Sequence, residues 1–489
     1  MPHSTAVILV VGLSQSLIGD DVPRIRDFAR AGVVRRMKPV LPAVTCSVQS
    51  SMLTGLMPSQ HGIVGNGWYN RELSEVHFWK QSNKLVSGEK VWDTAKQRDP
   101  AVTTLNMFWW FNMYSSATWS VTPRPMYKAD GRKIPDCYSN PPELRDELQA
   151  ELGPFPLFHF WGPGSSIKSS QWIADATKIA HAKHKPGLTL VYLPHLDYAL
   201  QKYGDDSGNY LPDIFDPHPK SFAAGALREI DAIVGDLLDY FAANDTRVIL
   251  VSEYGIENVS DSIHTNRILR EQGWLSVREE QGLELLDAGA SSAFAVADHQ
   301  VAHVYIPAAC GLAPHAGRDA DAAVIQRVAE ICRSIPGVEQ VLTKQDQAGP
   351  GIDHERSGDL VLVAAKGKWF SYDYWLDDRK APDFARTVDI HRKPGYDPLE
   401  LFIDPTIALP KVKLAWRLFQ RKILKQRALL DVIPLDTKLV RGSHGRIDVE
   451  PGLMPVLITQ KDHGAVGKGQ GEEVHCTAVR DVILEHLFN

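Results

Sequence analysis

Short runs of β-branched and aliphatic residues are the feature that most restricts how this chain can fold. Three of them, Ala6–Leu13, Leu188–Leu193 and Arg247–Ser252, have apolar centres without polar alternation, which is typical of strands covered on both faces. Helical apolar spacing between them predicts helices at Val22–Ala31, Gln49–Leu56, Ser170–Ala182 and Ser221–Ala243. Buried strands separated by helices predict an α/β fold, in which a mostly parallel central sheet has helices on both faces.

The chain is long enough for more than one domain. Its 489 residues suggest about two to four domains. Strand-like runs at Ala293–Ala297, His303–Ile306 and Asp359–Ala364 either extend the sheet or form a small subdomain. Composition shifts predict a core that two inserted segments interrupt, with these boundaries: core 1–107, aromatic-rich insertion 108–165, core 166–365, cap or insertion 366–440, and core 441–489.

Charge and cysteine content argue against several classes of protein. Lys and Arg total 53 against 59 Asp and Glu, which gives a formal net charge of −6, so no basic excess is available for binding a nucleic-acid polymer. The five cysteines form no C-x-x-C pair, which argues against a disulfide scaffold and a cysteine-ligated zinc site and fits a reducing compartment. The basic stretch Lys411–Arg427 is interpreted as a solvated helix face.

The first apolar run bears on localisation. No Lys or Arg precedes Ala6–Leu13 and no small-residue cleavage site follows it, so it does not resemble a signal peptide. No stretch of the sequence reaches the ~20 apolar residues that span a bilayer. These observations predict a cytoplasmic protein without a membrane partner.

Polar residues stand where the predicted strands end. Asp197 follows the second of the three strands, and Glu253 and Tyr254 follow the third; ligands of parallel sheets bind at this edge. Thr45 precedes a predicted helix, where its hydroxyl either meets a phosphate at the positive helix end or caps the helix. His444 lies in a glycine-flanked turn. A hydroxyl, two carboxylates and a histidine together suit a divalent metal ion.

The segment around Thr45 carries a family resemblance. It consists of Pro42-Ala43-Val44-Thr45, Thr54-Gly55-Leu56-Met57-Pro58 and His61-Gly62-Ile63-Val64-Gly65-Asn66. These pieces resemble the P-x-x-T, T-G-x-x-P and H-G-I-x-x-N block of the alkaline phosphatase superfamily, in particular its nucleotide pyrophosphatase/phosphodiesterase and phosphonoacetate hydrolase branches. The resemblance implies an alkaline phosphatase-like fold, Thr45 as a metal-bound nucleophile and Asn66 as a hydrogen-bond donor to a phosphoryl oxygen.

The resemblance also implies protein metal ligands, and several of these positions are altered. Asp197 and His444 match the family pattern, and Glu253 is a carboxylate in place of the usual aspartate. Gln201 and Tyr254 stand where the family usually has histidines, and both are poor zinc ligands. Val11-Gly12 replaces the usual Asp-Gly pair that ends the first strand, so one ligand is missing altogether.

Three outcomes remain open for the metal: one ion is retained, new ligands replace the old ones, or no metal binds. One zinc ion is favoured over two, with manganese as the second choice. The candidate replacement ligands are His195, His264, His391 and the Asp298-His299 pair. Arg446, Arg392 and Lys393 are candidates for the positive charge that a missing metal would otherwise supply to a phosphoryl group, and Arg446 is assigned to substrate binding.

Aromatic residues cluster at Phe108-Trp109-Trp110-Phe111 and around Trp375. They either stack on a base or line an apolar pocket, or they pack in the core, and core packing is the commoner role.

The functional prediction is a metal-dependent hydrolase of small phosphorylated substrates, either phosphodiesters or phosphonates, that acts through a phospho-threonine at Thr45. The alternatives are a catalytically reduced relative that binds a phosphorylated ligand and a phosphoryl-transfer or isomerase enzyme of a biosynthetic pathway. A homo-oligomer is compatible with the sequence.

Overall fold

A computed structural model of the chain describes residues 2–129, 132–204, 222–307, 318–424, 426, 428–461 and 473–489. The strands are β1 (Thr5–Val10), β2 (Val33–Lys38), β3 (Gly67–Asn70), β4 (Glu75–Phe78), β5 (Thr104–Met107), β6 (Trp119–Pro123), β7 (Met126–Tyr127), β8 (Lys133–Ile134), β9 (Cys137–Asn140), β10 (Leu188–Leu193), β11 (Arg247–Val251), β12 (Glu257–Asn258), β13 (Asp261–Ile263), β14 (Val277–Glu280), β15 (Leu283–Leu286), β16 (Phe294–Asp298), β17 (Val301–Tyr305), β18 (Val338–Leu342), β19 (Leu360–Ala364), β20 (Lys368–Phe370), β21 (Gly442–Ser443), β22 (Val456–Thr459) and β23 (Glu473–His475). The helices are α1 (Pro23–Ala31), α2 (Thr45–Thr54), α3 (Pro58–His61), α4 (Val91–Arg98), α5 (Pro142–Leu152), α6 (Leu157–Phe160), α7 (Ile167–His184), α8 (His195–Tyr203), α9 (Phe222–Ala243), α10 (Thr265–Glu271), α11 (Arg318–Ser334), α12 (Pro410–Lys422) and α13 (Val479–Phe488).

The chain forms two compact units. The first consists of Met1–Ile63, Gln81–Glu257 and Ile447–Asn489, and the second consists of Val64–Lys80 and Asn258–Arg446. The five segments predicted from composition divide the chain more finely than these two units, and their boundaries stay a prediction.

A nine-stranded sheet forms the centre of the first unit. Its strand order is β23-β2-β22-β11-β1-β10-β5-β6-β9. The pairings of β1 with β10 and β11, of β10 with β5, and of β5 with β6 are parallel, whereas β22 and β9 pair antiparallel with their neighbours. All residues of β1 and β10 are buried. Because alternate residues of a strand face opposite sides of the sheet, both faces are covered, and the predicted α/β architecture is confirmed.

The register of the central strands brings their carboxyl ends to one edge. Val10 of β1 is paired with Leu193 of β10, and Leu9 is paired with Val251 of β11. The residues that follow the three strands therefore meet at this edge. Gly12, which follows β1, has φ +83°, and a Cβ atom there would lie 3.5 Å from the Cα atom of Asp197.

Gly255 lies at the same edge and permits a close backbone contact. A Cβ atom at Gly255 would lie 1.7 Å from the carbonyl oxygen of Leu453, whereas one at Gly19 would meet no atom within 4 Å. We expect Gly255→Ala to lower the free energy of unfolding by about 3 kcal/mol, because the backbone of the turn must move. Urea denaturation of both variants measures this difference. Gly19→Ala is the control, and an equal effect of the two substitutions would contradict the steric account.

The second unit contains a separate four-stranded antiparallel sheet, in the order β16-β17-β19-β18. The strand-like runs Ala293–Ala297, His303–Ile306 and Asp359–Ala364 belong to this sheet. Of the two possibilities left by the sequence, these strands therefore form a subdomain rather than an extension of the main sheet.

The aromatic segment packs in the core of the first unit. Phe108 and Trp109 are fully buried, and the ring of Phe108 lies 4.9 Å from that of Phe155 and 6.0 Å from that of Trp172. In the second unit Trp375 is also buried, and its Nε1 atom donates to Asp378 at 3.0 Å. Core packing is therefore the confirmed role of these aromatic residues.

Two further findings concern the cysteines and the length of the helices. Cys46, Cys137, Cys332 and Cys476 are buried and free, while Cys310 lies outside the described residues. No helix in the described ranges has the length and apolar character that crossing a bilayer requires.

Candidate active site

Thr45 is the first residue of α2. The residue before it, Val44, has an extended backbone and supplies no side-chain cap to the helix. The hydroxyl of Ser47 donates to the carbonyl oxygens of Pro42 and Val44, at 2.6 and 3.1 Å. Val44 is therefore the N-cap residue, and the hydroxyls of Thr45 and Ser47 do not cap the helix. The alternative in which Thr45 is an N-cap is excluded.

The turn after α2 is held by the histidine of the H-G-I-x-x-N block. His61 is fully buried, its Nδ1 atom accepts a hydrogen bond from the backbone N–H of Ile63 at 3.1 Å, and its Nε2 atom lies 2.9 Å from Oγ of Ser51. Since Nδ1 accepts, Nε2 carries the proton and donates to Ser51. This histidine fixes the backbone that leads out of α2.

A tyrosine connects Thr45 to the first carboxylate. The Oγ1 atom of Thr45 lies 3.1 Å from the hydroxyl oxygen of Tyr254, and the Tyr254 hydroxyl donates to Oδ1 of Asp197 at 3.4 Å. Gln201, one turn after Asp197 on α8, donates from Nε2 to Oδ2 of Asp197 at 2.8 Å. The structure thus brings together Thr45, Asp197, Gln201 and Tyr254, all of which are buried.

Glu253 is the second buried carboxylate and has a partner that the sequence analysis missed. Its Oε1 atom accepts a hydrogen bond from Nε2 of Gln49, and Oε1 of Gln49 accepts one from the backbone N–H of Trp110 at 2.6 Å. Gln49 follows Thr45 by four residues on α2, so the helical period places both side chains on one face. That spacing is the signal that could have identified Gln49.

Burial raises the pKa values of the three acidic side chains at this site, Asp197, Glu253 and Tyr254. It raises the pKa of Asp197 to about 7, although the hydrogen bonds from Gln201 and Tyr254 act in the opposite direction. Burial raises the pKa of Glu253 well above its ordinary value; the hydrogen bond from Gln49 lowers it, and the charge of Asp197 raises it further. Burial also raises the pKa of Tyr254, so the phenol is neutral near pH 7.

The side chains at this site can be compared with the ligands that the predicted zinc ion requires. Across the described residues, no group of three or more His, Cys, Asp and Glu side chains that could hold a metal ion is present. The polar side chains of this group are the Tyr254 phenol, which contacts Thr45, the carboxylates of Asp197 and Glu253, and the amides of Gln201 and Gln49; Thr45 also hydrogen-bonds to Glu253, and both oxygens of Asp197 accept hydrogen bonds. Structural and catalytic zinc sites rely on imidazole or thiolate ligands. This donor set does not fit a zinc centre.

Asn66 belongs to the second unit, where Asp298 holds it. The backbone N–H of Asn66 donates to Oδ2 of Asp298 at 2.7 Å, and its Nδ2 atom donates to Oδ1 at 3.0 Å. Burial raises the pKa of Asp298 to about 7. Asp298, a candidate replacement metal ligand by sequence, orients the Asn66 side chain in the structure, and its role as a ligand stays a prediction.

His444 is also in the second unit and packs against aromatic rings. The ring of His299 lies 3.6 Å from that of His444 and 3.7 Å from that of Tyr396. Burial, together with the neighbouring His444, lowers the pKa of His299 well below its ordinary value. His299 is therefore a neutral imidazole, and its ring packs between those of His444 and Tyr396.

The other candidate residues have separate partners. In the first unit, Nε2 of His195 lies 2.8 Å from Glu229. In the second unit, His264 pairs with Asp373 at 2.9 Å, His391 is exposed with Nδ1 3.3 Å from the carbonyl oxygen of Phe78, and Arg446 contacts Glu339 and the carbonyl oxygen of Ala364. Their predicted roles as metal ligands or, for Arg446, in substrate binding stay predictions.

The chain matches a protein-family model over most of its length and one relative over a short segment. The family model described as type I phosphodiesterase / nucleotide pyrophosphatase matches residues 5–397. Human ectonucleotide pyrophosphatase/phosphodiesterase family member 1 is 32% identical over 83 residues, which cover 16% of this chain and 9% of that protein. The match thus spans less than a tenth of the length of this relative.

Solved structures with low sequence identity share the fold. Murine ectonucleotide pyrophosphatase/phosphodiesterase 5 is 13% identical with a TM-score of 0.55, and the alignment covers 99% of this chain and 94% of that one. Its inactive threonine-to-alanine variant, in complex with AMP, gives a TM-score of 0.56 at 12% identity over the same shares. Phosphonoacetate hydrolase from Sinorhizobium meliloti 1021, in complex with phosphonoformate, gives 0.57 at 14% identity, covering 99% and 96%.

Proposed function

Because the chain belongs to the type I phosphodiesterase / nucleotide pyrophosphatase family of the alkaline phosphatase superfamily, we propose that it hydrolyses phosphoric esters and that Thr45 is the attacking group. The proposal rests on the surroundings of the Thr45 hydroxyl. This hydroxyl is buried at the start of α2, caps nothing, and lies 3.1 Å from a neutral phenol. In the murine relative one threonine-to-alanine variant is inactive, which supports a threonine as the attacking group.

The N-terminus of α2 favours an anionic substrate. The backbone N–H groups of the first helical turn have no acceptor within the helix, and the helix dipole is positive at this end. A phosphoryl oxygen placed there receives hydrogen bonds that strengthen as negative charge develops on it. This contribution is important here because the buried carboxylates Asp197 and Glu253 repel a phosphate when they are ionised.

The proposed reaction has two steps. In the first, Oγ1 of Thr45 forms a bond to phosphorus, and the bond to the leaving ester oxygen breaks with its electron pair on that oxygen, which takes a proton from water. Thr45 then carries the phosphoryl group, which keeps its second ester substituent when the substrate is a phosphodiester. The hydroxyl proton of Thr45 passes to the Tyr254 oxygen, and Tyr254 gives its own proton to Asp197. In the second, water attacks phosphorus, Thr45 is released, and its hydroxyl regains a proton along the same path.

Tyr254 is a catalytic residue in the proposed reaction, because its hydroxyl contacts the attacking Oγ1 atom of Thr45 and accepts its proton. We expect Tyr254→Phe to lower kcat by about 10²-fold with little change in KM, because the variant removes the group that orients and deprotonates Thr45. Steady-state kinetics with a chromogenic phosphodiester measure both constants. Tyr240→Phe is the matched control, since the Tyr240 hydroxyl contacts His181 and the carbonyl oxygen of Lys178 instead. A Tyr254→Phe enzyme as fast as the control would remove this role.

A second candidate function is a catalytically reduced relative that binds a phosphorylated ligand. The presence of Gln201 and Tyr254 in a donor set that does not fit zinc favours it. Assay of a chromogenic phosphodiester without metal and with added zinc or manganese separates the two functions. Turnover supports the hydrolase. Absence of turnover under all three conditions, together with AMP binding by calorimetry, would establish the binding protein instead.

A further inference from the structure

Helix α12 in the second unit exposes an apolar stripe. Leu409, Val412, Trp416, Phe419 and Ile423 are each between 42% and 66% exposed. Their spacing of three, four, three and four residues follows the period of an α-helix, so they form one continuous face. The rings of Trp416 and Phe419 stack on this face with centroids 5.6 Å apart. Isolated exposed apolar residues are ordinary, whereas a contiguous stripe of this kind marks an interaction surface.

The same segment is strongly basic in a chain that is acidic overall. Between Pro405 and Leu430 the sequence contains no Asp or Glu. Its basic residues are Lys411, Lys413, Arg417, Arg421, Lys422, Lys425 and Arg427. The whole chain, by contrast, has a formal net charge of −6. Positive charge is therefore concentrated in the stretch of sequence that carries the apolar stripe.

Polar contacts hold the helix without using the stripe. Nζ of Lys413 lies 2.9 Å from Oδ2 of Asp431, and Nε of Arg417 lies 3.0 Å from Oδ1 of the same residue. These two ion pairs connect α12 to the segment that follows it. The large apolar side chains remain available to a partner.

We propose that α12 binds the surface of an anionic lipid bilayer, with the apolar stripe in the interface and the basic residues on the lipid headgroups. A helix with an apolar face that includes a tryptophan and with flanking Lys and Arg is the pattern of helices that lie in the plane of a membrane. At 13 residues, α12 is too short to span a bilayer. The proposal revises the expectation of no membrane partner and is independent of the proposed hydrolase function.

Charge argues against the other occupants of this face. A second copy of the chain would bring two basic segments together, at an unfavourable Coulomb energy. A nucleic-acid polymer would pair with the basic residues but would leave the apolar stripe in water. An anionic lipid surface accommodates both features at once.

Co-sedimentation with vesicles tests the proposal. We expect the full chain to bind vesicles that contain about one third phosphatidylserine at least tenfold more tightly than vesicles of phosphatidylcholine alone, and to be released by high salt. The triple variant Trp416→Ser, Phe419→Ser, Ile423→Ser should lose at least tenfold in affinity for the anionic vesicles. Because these residues are exposed, the variant is expected to fold, and its unfolding temperature checks this.

Leu376→Ser is the matched control, since Leu376 is an exposed apolar residue elsewhere in the second unit. It should bind vesicles as the unmodified chain does. Three results would overturn the proposal: no binding to anionic vesicles, equal binding by the triple variant, or a dimer in solution that the triple variant abolishes. The last result would assign the stripe to a second copy of the chain.

Discussion

Thr45→Ala is expected to reduce kcat/KM for a phosphodiester by at least about 10³-fold while leaving the unfolding midpoint nearly unchanged. The hydroxyl contacts Tyr254 at 3.1 Å and caps no helix, so its removal takes away the nucleophile at little cost to the fold. The comparison requires activity and urea denaturation on the same preparations. Loss of both would mean that the variant is misfolded.

Two variants of α2 make this prediction specific. Thr45→Ser retains a hydroxyl and should keep measurable turnover. Ser50→Ala removes a hydroxyl that donates to the carbonyl oxygen of Cys46 at 2.7 Å within the same helix, and it should remain close to full activity. Turnover by Thr45→Ala equal to that of Ser50→Ala would exclude Thr45 as the nucleophile.

The largest expected effect on stability is at Lys393, which the sequence analysis considered as a source of positive charge for a phosphoryl group. The structure instead pairs it with Asp397 at 2.7 Å and Glu400 at 2.8 Å, and all three side chains are buried. Burial lowers the pKa of Lys393, but the two carboxylates outweigh this effect and raise it. Lys393 is therefore a structural cation of the second unit.

We expect Lys393→Met to lower the free energy of unfolding by about 3–5 kcal/mol near pH 7, because two buried carboxylates lose their counter-ion. Burial raises the pKa of Asp397 and Lys393 opposes this effect, so in the variant the pKa of Asp397 lies further above its value in the unfolded chain. The loss of stability relative to the unmodified chain should therefore be smallest below about pH 4 and grow as the pH rises. Denaturation at several pH values measures both effects.

Lys380→Met is the surface control for this prediction. Its ammonium group lies 3.3 Å from Glu279, and both side chains are about half exposed, so the substitution should change stability by less than about 1 kcal/mol. Neutralising the carboxylates as well, with Asp397→Asn and Glu400→Gln, should recover part of the loss. A Lys393→Met variant as stable as Lys380→Met would contradict the assignment.

Features that depend on local sequence were predictable. The run Leu188–Leu193 coincides with β10, and Arg247–Ser252 differs from β11 by one residue, because a continuous apolar run admits few structures other than a buried strand. The placement of Asp197 and Glu253 after their strands also followed from pattern. These features fix the sheet edge at which the candidate site lies. The predicted start of α2 at Gln49 was wrong, because the helix begins four residues earlier, at Thr45.

The pairing of polar groups was not predictable. The Thr45–Tyr254 contact joins residues 209 positions apart, and the Asn66–Asp298 pair joins residues 232 positions apart. Such contacts depend on how strands and turns align after folding, which no local pattern records. The exposure of α12 was not predictable either. Its basic and apolar residues are visible in the sequence, but their pattern does not show whether the apolar face is covered by other parts of the protein.

Acid-quenched mass spectrometry of the enzyme during turnover tests the central claim most directly. The account predicts that the peptide containing Thr45 gains the phosphoryl group together with the ester substituent that does not leave, that this adduct accumulates with a phosphodiester substrate, and that it is absent from Thr45→Ala. A phosphate on another residue, or steady turnover while the Thr45 peptide stays unmodified and the Thr45→Ala variant remains active, would contradict it.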